Sequence, residues 1–277
     1  RDPRMPLATG IGEGLFLHLA EGIKKAVRVP VIAVGQIYTP ETGEAALERG
    51  QADFIAMGRA LLAEPALVNK LAAGRRDRII PCVNCDACQL RPGRPGVFCP
   101  VNPETGREFQ LRLEKTPSPQ EVLVLGGGLA GLEVARVAAL RGHRVSLECP
   151  EDRIGGLWGQ RVTAPGQEIL AQAIDCYAAE LRRLGVGVKP SQELDGERVV
   201  ASKAAVVVVA ASGKATPPPL VVSGVEAVPA LEVISGKRQV QGQVLAAGSG
   251  VLLAEAALLL AQQGCQVTLV EKNARVA

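Results

Sequence analysis

Apolar and polar positions alternate in blocks over residues 21–70. Ala20–Val27 has helical spacing, Val29–Val34 is an apolar, largely β-branched run closed by Gly35, and Glu41–Gly50 is helical again, opened by Pro40 and stopped by Gly50. Ala52–Met57 reads as the next strand and ends at Gly58-Arg59. Short apolar strands alternating with helices predict a parallel sheet with crossover connections. Two strands are too few for a complete α/β domain, so this stretch is expected to be the end of one.

Periodicity is lost over residues 79–119, which hold four cysteines, seven prolines and several glycines. The expectation is an irregular connector organised by a cofactor, with Lys115–Pro119 as an interdomain linker. At Glu121 the alternation resumes: strand Val122–Leu125, a glycine turn, a helix from about Leu129 to Arg141, then strand Arg144–Glu148. Ala204–Ala211 reads as a further central strand. The unit then recurs as strand Val244–Ala247, glycine turn, helix Leu252–Gln263 and strand Gln266–Glu271, 122 residues on, counted from Gly126 to Gly248. Such a repeat predicts two nucleotide-binding domains, one inserted in the other. The expected divisions are 1–78, 79–119, 120–240 and 241–277, the last truncated. Beginning at Arg1-Asp2-Pro3 and stopping at Ala277 after a strand-like run, the chain reads as an internal piece of a longer protein.

Composition narrows the function classes. At 277 residues and 47% hydrophobic, the chain has ample material for buried cores. A formal charge of +3, no Lys/Arg block and 3% aromatic residues argue against a nucleic-acid partner. Apolar runs such as Ala204–Ala211 fall far below the ~20 residues that cross a bilayer, and no signal peptide is evident, so a soluble, cytoplasmic protein is expected. Of seven cysteines, four crowd between 82 and 99 while Cys149, Cys176 and Cys265 are scattered. That distribution suits a metal or cluster site in a reducing compartment, and the scattered three read as small core residues.

The crowded set is Cys82-Val-Asn-Cys85-Asp-Ala-Cys88 followed by Cys99-Pro100, or C-x2-C-x2-C-x10-C. Three thiolates two residues apart can cover one face of a compact cluster, and a distant fourth closes the cage; ferredoxins use a related run. Structural zinc usually draws on two separated C-x2–4-C pairs, and no His lies nearby, so [4Fe–4S] is the leading reading and zinc the rival. Gly126-Gly-Gly128-Leu-Ala130-Gly131 is a G-x-G-x-x-G run between strand and helix, the context that identifies a dinucleotide fingerprint. Gly126 permits the tight turn, Gly128 the approach of a pyrophosphate, and Gly131 close packing of helix on strand. Glu148, 22 residues after Gly126, is expected to bind a ribose diol. The second loop keeps Gly248 and Gly250 but has Leu253 at the third place, with Glu271, 23 residues after Gly248, in the same expected role. A carboxylate there would repel a 2′-phosphate, with Lys272 beside it. His18 and His143 read as structural, a lone Trp158 as core, and no Ser-His-Asp set or carboxylate pair supports hydrolase chemistry.

The runs Val29-Pro-Val-Ile-Ala-Val-Gly35-Gln-Ile and Ala52-Asp-Phe-Ile-Ala-Met-Gly58-Arg59-Ala resemble the last two barrel strands of the NADH:flavin oxidoreductase, or old yellow enzyme, family. Pro81–Cys88, Cys99-Pro-Val-Asn-Pro103, Gly106-Arg-Glu108, Val122–Gly131, Arg141-Gly-His-Arg-Val145 and Ile154-Gly-Gly156 resemble its long members in the same order: 2,4-dienoyl-CoA reductase, enoate reductase and trimethylamine dehydrogenase. The resemblance covers nearly the whole chain. It implies the C-terminal end of an FMN-bearing (β/α)8 barrel with the phosphate held at Gly35 and Gly58-Arg59. An iron–sulfur loop follows, then a Rossmann-like FAD- or ADP-binding domain, in which Gly156 joins the first glycine loop, and a truncated NAD(P)-binding domain. It implies an electron relay from NAD(P)H through FAD and [4Fe–4S] to FMN, reducing an activated C=C bond in an enoyl or dienoyl thioester or an enone. Two alternatives stand beside that: an amine dehydrogenase passing electrons to an electron-transfer flavoprotein, and a non-catalytic cofactor-binding piece. The groups that bind the small-molecule substrate and move protons are expected N-terminal to residue 1. Departures from the family pattern are Leu129 for a usual proline, Ala211-Ser212-Gly213 for Ala-Thr-Gly, and Leu253.

Overall fold

The computed structural model describes residues 12–89, 96–149, 154–190, 196–211 and 224–271. The chain divides into two compact units, Arg1–Pro117 with Asp175–Leu184, and Ser118–Ile174 with Gly185–Ala277. Its division after Pro117 falls in the proline-rich linker stretch. The cysteine segment packs within the first unit rather than standing apart, and residues 241–271 pack within the second.

The first unit runs α1 (Leu17–Ala26), β1 (Ile32–Val34), α2 (Pro40–Glu48), β2 (Phe54–Ala56), α3 (Arg59–Ala63), α4 (Leu67–Ala72) and a 3-10 turn at Arg76–Arg78. The strands are shorter than the apolar runs predict: at Val31 the N–H donates to the Asp53 carboxylate at 2.8 Å, while its carbonyl accepts the Asp53 and Phe54 N–H groups at 2.9 and 3.2 Å. β1 and β2 pair in parallel, Ile32 beside Phe54 and Val34 beside Ala56, so both strands end at one edge. Helix α2 makes that crossover. It starts where it does because Pro40 fixes φ at the first turn and the Thr39 hydroxyl accepts the Thr42 N–H. The Glu13 carboxylate accepts the N–H groups of Tyr38 and Thr39 at 2.8 and 2.6 Å and both threonine hydroxyls, so an internal anion already occupies this helix start. Ala20, Ala33, Ile37 and Ala52 form one small core, and Ala60, Leu67 and Ile79 another.

The second unit contains β3 (Glu121–Leu125), α5 (Leu129–Leu140), β4 (Arg144–Cys149), α6 (Leu157–Arg161), β5 (Gly187–Pro190), α8 (Gly196–Ala201), β6 (Val206–Val209), α9 (Ala230–Ile234), β7 (Gln243–Ala247), α10 (Val251–Gln262) and β8 (Gln266–Val270); α7 (Glu168–Arg183) is shared in sequence with the first unit. A four-stranded parallel sheet has the order β5-β4-β3-β6, and β7-β8 form a separate parallel pair. Val122 through Leu125 are all buried, as a central parallel strand covered on both faces requires. Residues 157–201, where sequence assigns no element, hold α6, α7, β5 and α8. Among the described residues no helix is long and apolar enough to cross a membrane.

Candidate cofactor sites

In the first unit, the two strand ends and the cysteine segment meet through one side chain. Gly35 closes β1 at φ +110°, where a Cβ would stand 2.4 Å from the Phe16 ring. Gly58 closes β2 with open space where its Cβ would be. Arg59 turns its guanidinium toward the cysteine segment: Nη1 donates to Asn84 Oδ1 at 2.5 Å and pairs with the Asp86 carboxylate, and Nη2 donates to Gln36 Oε1 at 2.6 Å. Gln36, Asn84 and Asp86 are buried, and all three adopt left-handed backbone conformations, φ +53°, +49° and +52°. Asn and Asp accept that conformation more readily than most residues; Gln does so less often. Sequence assigns Arg59 to a phosphate and gives Gln36, Asn84 and Asp86 no role; the structure joins the four.

Cys82 is buried, Cys88 and Cys99 are half-buried and Cys85 is exposed. Burial pushes the Cys82 thiol up to about 11, opposed by the Asn84 N–H and the Arg59 charge and reinforced by Cys99 and Cys85. Burial also raises Cys88 and Cys99, each raised further by Cys85; the N–H groups of Val101 and Asn102 oppose the rise at Cys99, and Arg59 opposes it at Cys88. The sulfurs therefore lie within electrostatic reach of one another, and one guanidinium acts on two of them. The far end of the segment is pinned to α3: Asn102 Nδ2 and Thr105 Oγ1 both donate to the Leu62 carbonyl, at 2.8 and 2.9 Å. The Cys176 thiol donates to the Ile79 carbonyl at 3.2 Å, just before Cys82. Residues 90–95, between Cys88 and Cys99, lie outside the described residues.

Among the described residues no three His, Cys, Asp or Glu side chains are gathered at metal-holding distance. The donor chemistry nevertheless fits an iron–sulfur cluster: an all-cysteine set, peptide N–H groups directed at two sulfurs, and a nearby fixed positive charge.

In the second unit the first glycine loop is closed tightly. Gly126 has φ +119°, and a Cβ there would meet the Ala210 carbonyl oxygen at 2.6 Å. A Cβ on Gly131 would stand 1.8 Å from the Gly126 carbonyl oxygen, so α5 can approach β3 only with glycine at this place. Gly128, which precedes α5, has open space around it, and Ala130 is exposed in the first turn. Gly155 N–H donates to the Gly127 carbonyl at 2.8 Å, and a Cβ on Gly156 would stand 2.9 Å from Gly128 Cα, which brings Gly156 beside the loop.

The second loop repeats the register but not the tightness. Gly248 N–H donates to the Val270 carbonyl at 3.0 Å, as Gly126 N–H donates to the Glu148 carbonyl at 2.7 Å. Leu125 pairs with Glu148 and Ala247 with Val270. Glu148 therefore corresponds to Val270, and Glu271 corresponds to Cys149: the two carboxylates that sequence gives one role stand one residue apart in register. Gly248 keeps the positive φ of Gly126, whereas Gly250 has φ +93° where Gly128 has −71°; neither has anything within 4 Å of an added Cβ, and Leu253 is buried where Gly131 leaves room for a carbonyl. Glu255 of α10 accepts both arms of Arg161, Nε at 2.9 Å and Nη2 at 2.5 Å, with its side chain 8% exposed. His143 Nδ1 accepts the Gln120 N–H at 3.2 Å, a structural use.

Residues 8–78 match the model of the NADH:flavin oxidoreductase / NADH oxidase family. A metal reductase of Desulforamulus reducens is 36% identical over 269 residues, 93% of this chain, and a cinnamate reductase of Clostridium sporogenes is 35% identical over 262 residues, 94% of it. Among solved structures, a complex of 2-naphthoyl-CoA reductase with 2-naphthoyl-CoA superposes on 98% of the chain with a TM-score of 0.85 and 28% identity. The chain spans 40%, 39% and 42% of the length of these three proteins. With its parallel α/β architecture and the strand-end glycines inside the matched region, the chain belongs to the NADH:flavin oxidoreductase / NADH oxidase family.

Proposed function

We propose that this chain carries the relay portion of an NAD(P)H-dependent flavin and iron–sulfur oxidoreductase that reduces an activated C=C bond. The observation that carries this reading is the Arg59 network, which ties two strand ends of the flavin-family region to a four-cysteine segment within one compact unit. Such a layout suits two redox groups held at fixed separation. When bound, flavins supply two-electron and one-electron chemistry and a [4Fe–4S] cluster supplies one-electron transfer between them.

This chain's own residues bind and orient. Cys82, Cys85, Cys88 and Cys99 would hold the cluster, with the N–H groups of Asn84, Val101 and Asn102 directed at its sulfurs. Backbone at Gly35 and Gly58 would meet the FMN phosphate, and Arg59 adds the positive charge between phosphate and cluster. The α2 start is not part of that phosphate site, because Glu13 fills it. Gly126, Gly128, Gly131 and Gly156 would line the first dinucleotide site, which we assign to FAD, and Gly248, Gly250 and Glu271 the second, which we assign to NAD(P)H. The parallel order β5-β4-β3-β6, with the fingerprint turn after β3, supports the Rossmann reading. The cinnamate and 2-naphthoyl-CoA reductases among the relatives support an α,β-unsaturated acid or thioester, or a related conjugated acyl group, as substrate.

The test is anaerobic titration of the full-length protein with NADH and NADPH. Bleaching of the flavin band, reversed by an enoyl thioester or a cinnamate-type acid, is expected. A flavin that neither nucleotide bleaches but an amine does would overturn the reductase reading in favour of an amine dehydrogenase.

A further inference from the structure

The two repeats of the second unit can be laid on each other residue by residue, because each first glycine donates to the carbonyl of the residue 22 positions on: Gly126 to Glu148 and Gly248 to Val270. Side chains alternate across a strand, so a one-residue offset is a change of face. On β4, Val145, Leu147 and Cys149 share the buried face, and Glu148 falls on the other with Ser146 and Arg144. The Cys149 side chain lies against the first glycine loop: a Cβ on Gly127 would stand 2.7 Å from Cys149 Cβ and 3.3 Å from its Sγ. On β8 the register sets Val267 and Leu269 at the positions of Val145 and Leu147, and Glu271 follows directly after the strand at the position of Cys149. The position that faces the loop in the first repeat thus holds a thiol, and its counterpart by register in the second holds a carboxylate.

We propose that the first glycine loop holds its dinucleotide without a carboxylate on the adenosine ribose, Cys149 standing where the second repeat has Glu271, and that Glu148 takes no part in nucleotide recognition. This rests on the dinucleotide reading of both loops given above. A carboxylate can accept both hydroxyls of a ribose diol in charge-assisted hydrogen bonds, whereas a thiol is a weak donor and acceptor that distinguishes little. The first site accordingly draws its affinity from the backbone N–H groups at the turn and from the tight closure around Gly126 and Gly131. Only the second site senses the 2′ position of its nucleotide.

The experiment uses the full-length holoenzyme, with the FAD dissociation constant read from recovered flavin fluorescence and the NADH constant read from anaerobic flavin bleaching. Glu148→Gln is expected to leave the FAD constant within twofold of wild type, and Glu271→Gln to weaken NADH about tenfold while narrowing the difference between NADH and NADPH. Cys149→Ser keeps the volume and is expected to retain FAD. A tenfold loss of FAD affinity in folded Glu148→Gln, or a Glu271→Gln variant that binds NADH unchanged, would overturn the inference while leaving the dinucleotide reading intact. Wild-type protein that retains no adenine dinucleotide would overturn that parent reading, and the inference with it.

Discussion

At the first glycine loop, a methyl group on Gly131 would stand 1.8 Å from the Gly126 carbonyl oxygen; at the second, Leu253 fills the matching position and open space surrounds Gly248 and Gly250. Both loops share a register, a strand–turn–helix–strand order and positive φ at their first glycine. They differ in what holds helix to strand. The first uses direct backbone approach, permitted only by glycine, while the second has a buried leucine at that place, and its helix is tied to α6 by the Arg161–Glu255 ion pair. A tight loop suits a resident cofactor and an open one a nucleotide that comes and goes, in keeping with the FAD proposed for the first site and the NAD(P)H proposed for the second.

The largest expected effect lies in the contact that makes the loops different. Gly131→Ala should push α5 off β3, costing more than about 3 kcal/mol of stability and most of the bound FAD. Leu253→Ala in the second repeat should cost about 2 kcal/mol by cavity formation and leave FAD in place. Denaturant unfolding with FAD-to-chain ratios measures both, and a Gly131→Ala protein that keeps full FAD would break the comparison.

The acidic residues at matching positions of the two helices give a smaller contrast. Both form two-armed pairs with an arginine: Glu255 with Arg161, 94 residues away, with side chains 8% and 17% exposed, and Glu133 with Arg136 of its own helix, with side chains 16% and 18% exposed. Removing Glu255 leaves a half-buried guanidinium, fixed between two helices, without its carboxylate, so Glu255→Ala should cost about 3 kcal/mol. Glu133→Ala should cost less, about 1–2 kcal/mol, because its partner is one helical turn away and Arg136 can swing toward solvent without disturbing a second element. Equal losses in urea unfolding would remove the distinction.

The first unit supplies the smallest effect. Burial raises the thiols of Cys82 and Cys176 to about 11 from an ordinary value of 9.0. A raised thiol value means that the unfolded chain gives up its proton first. The associated stability is present below pH 9 and is lost as pH rises toward 11. The iron-free chain should therefore show a falling thermal midpoint across that window, less steeply in Cys176→Ala. A midpoint that is flat from pH 9 to 11 in the wild-type chain would contradict this.

Much of this organisation is legible along the chain because its signals are local. Glycine at a strand end, proline at a helix start and β-branched runs mark β1, α2, β3, α5, β7 and α10 to within a residue or two at most ends. Helix α7 is missed although Leu170, Ala173, Ile174, Tyr177 and Leu181 are buried at helical spacing, with Gly166 before it and Gly185 after it. That signal is present, but no glycine motif draws the eye to it. The Arg59 network and the Glu13 cap are not legible, since their partners lie 23 to 29 residues apart and meet only once α2 has crossed over. The non-equivalence of Glu148 and Glu271 is hidden for a different reason. Spacings of 22 and 23 residues both satisfy the dinucleotide pattern, and only the backbone register decides which face each side chain takes.

The central proposal, that the four cysteines of the first unit hold a [4Fe–4S] cluster, is tested most directly on full-length protein purified anaerobically. Iron, acid-labile sulfide and zinc are assayed together with an EPR spectrum of the dithionite-reduced state. The account predicts about four iron and four sulfide per chain, with a low-temperature EPR signal that disappears in Cys88→Ser. One zinc per chain with neither iron nor sulfide would contradict it.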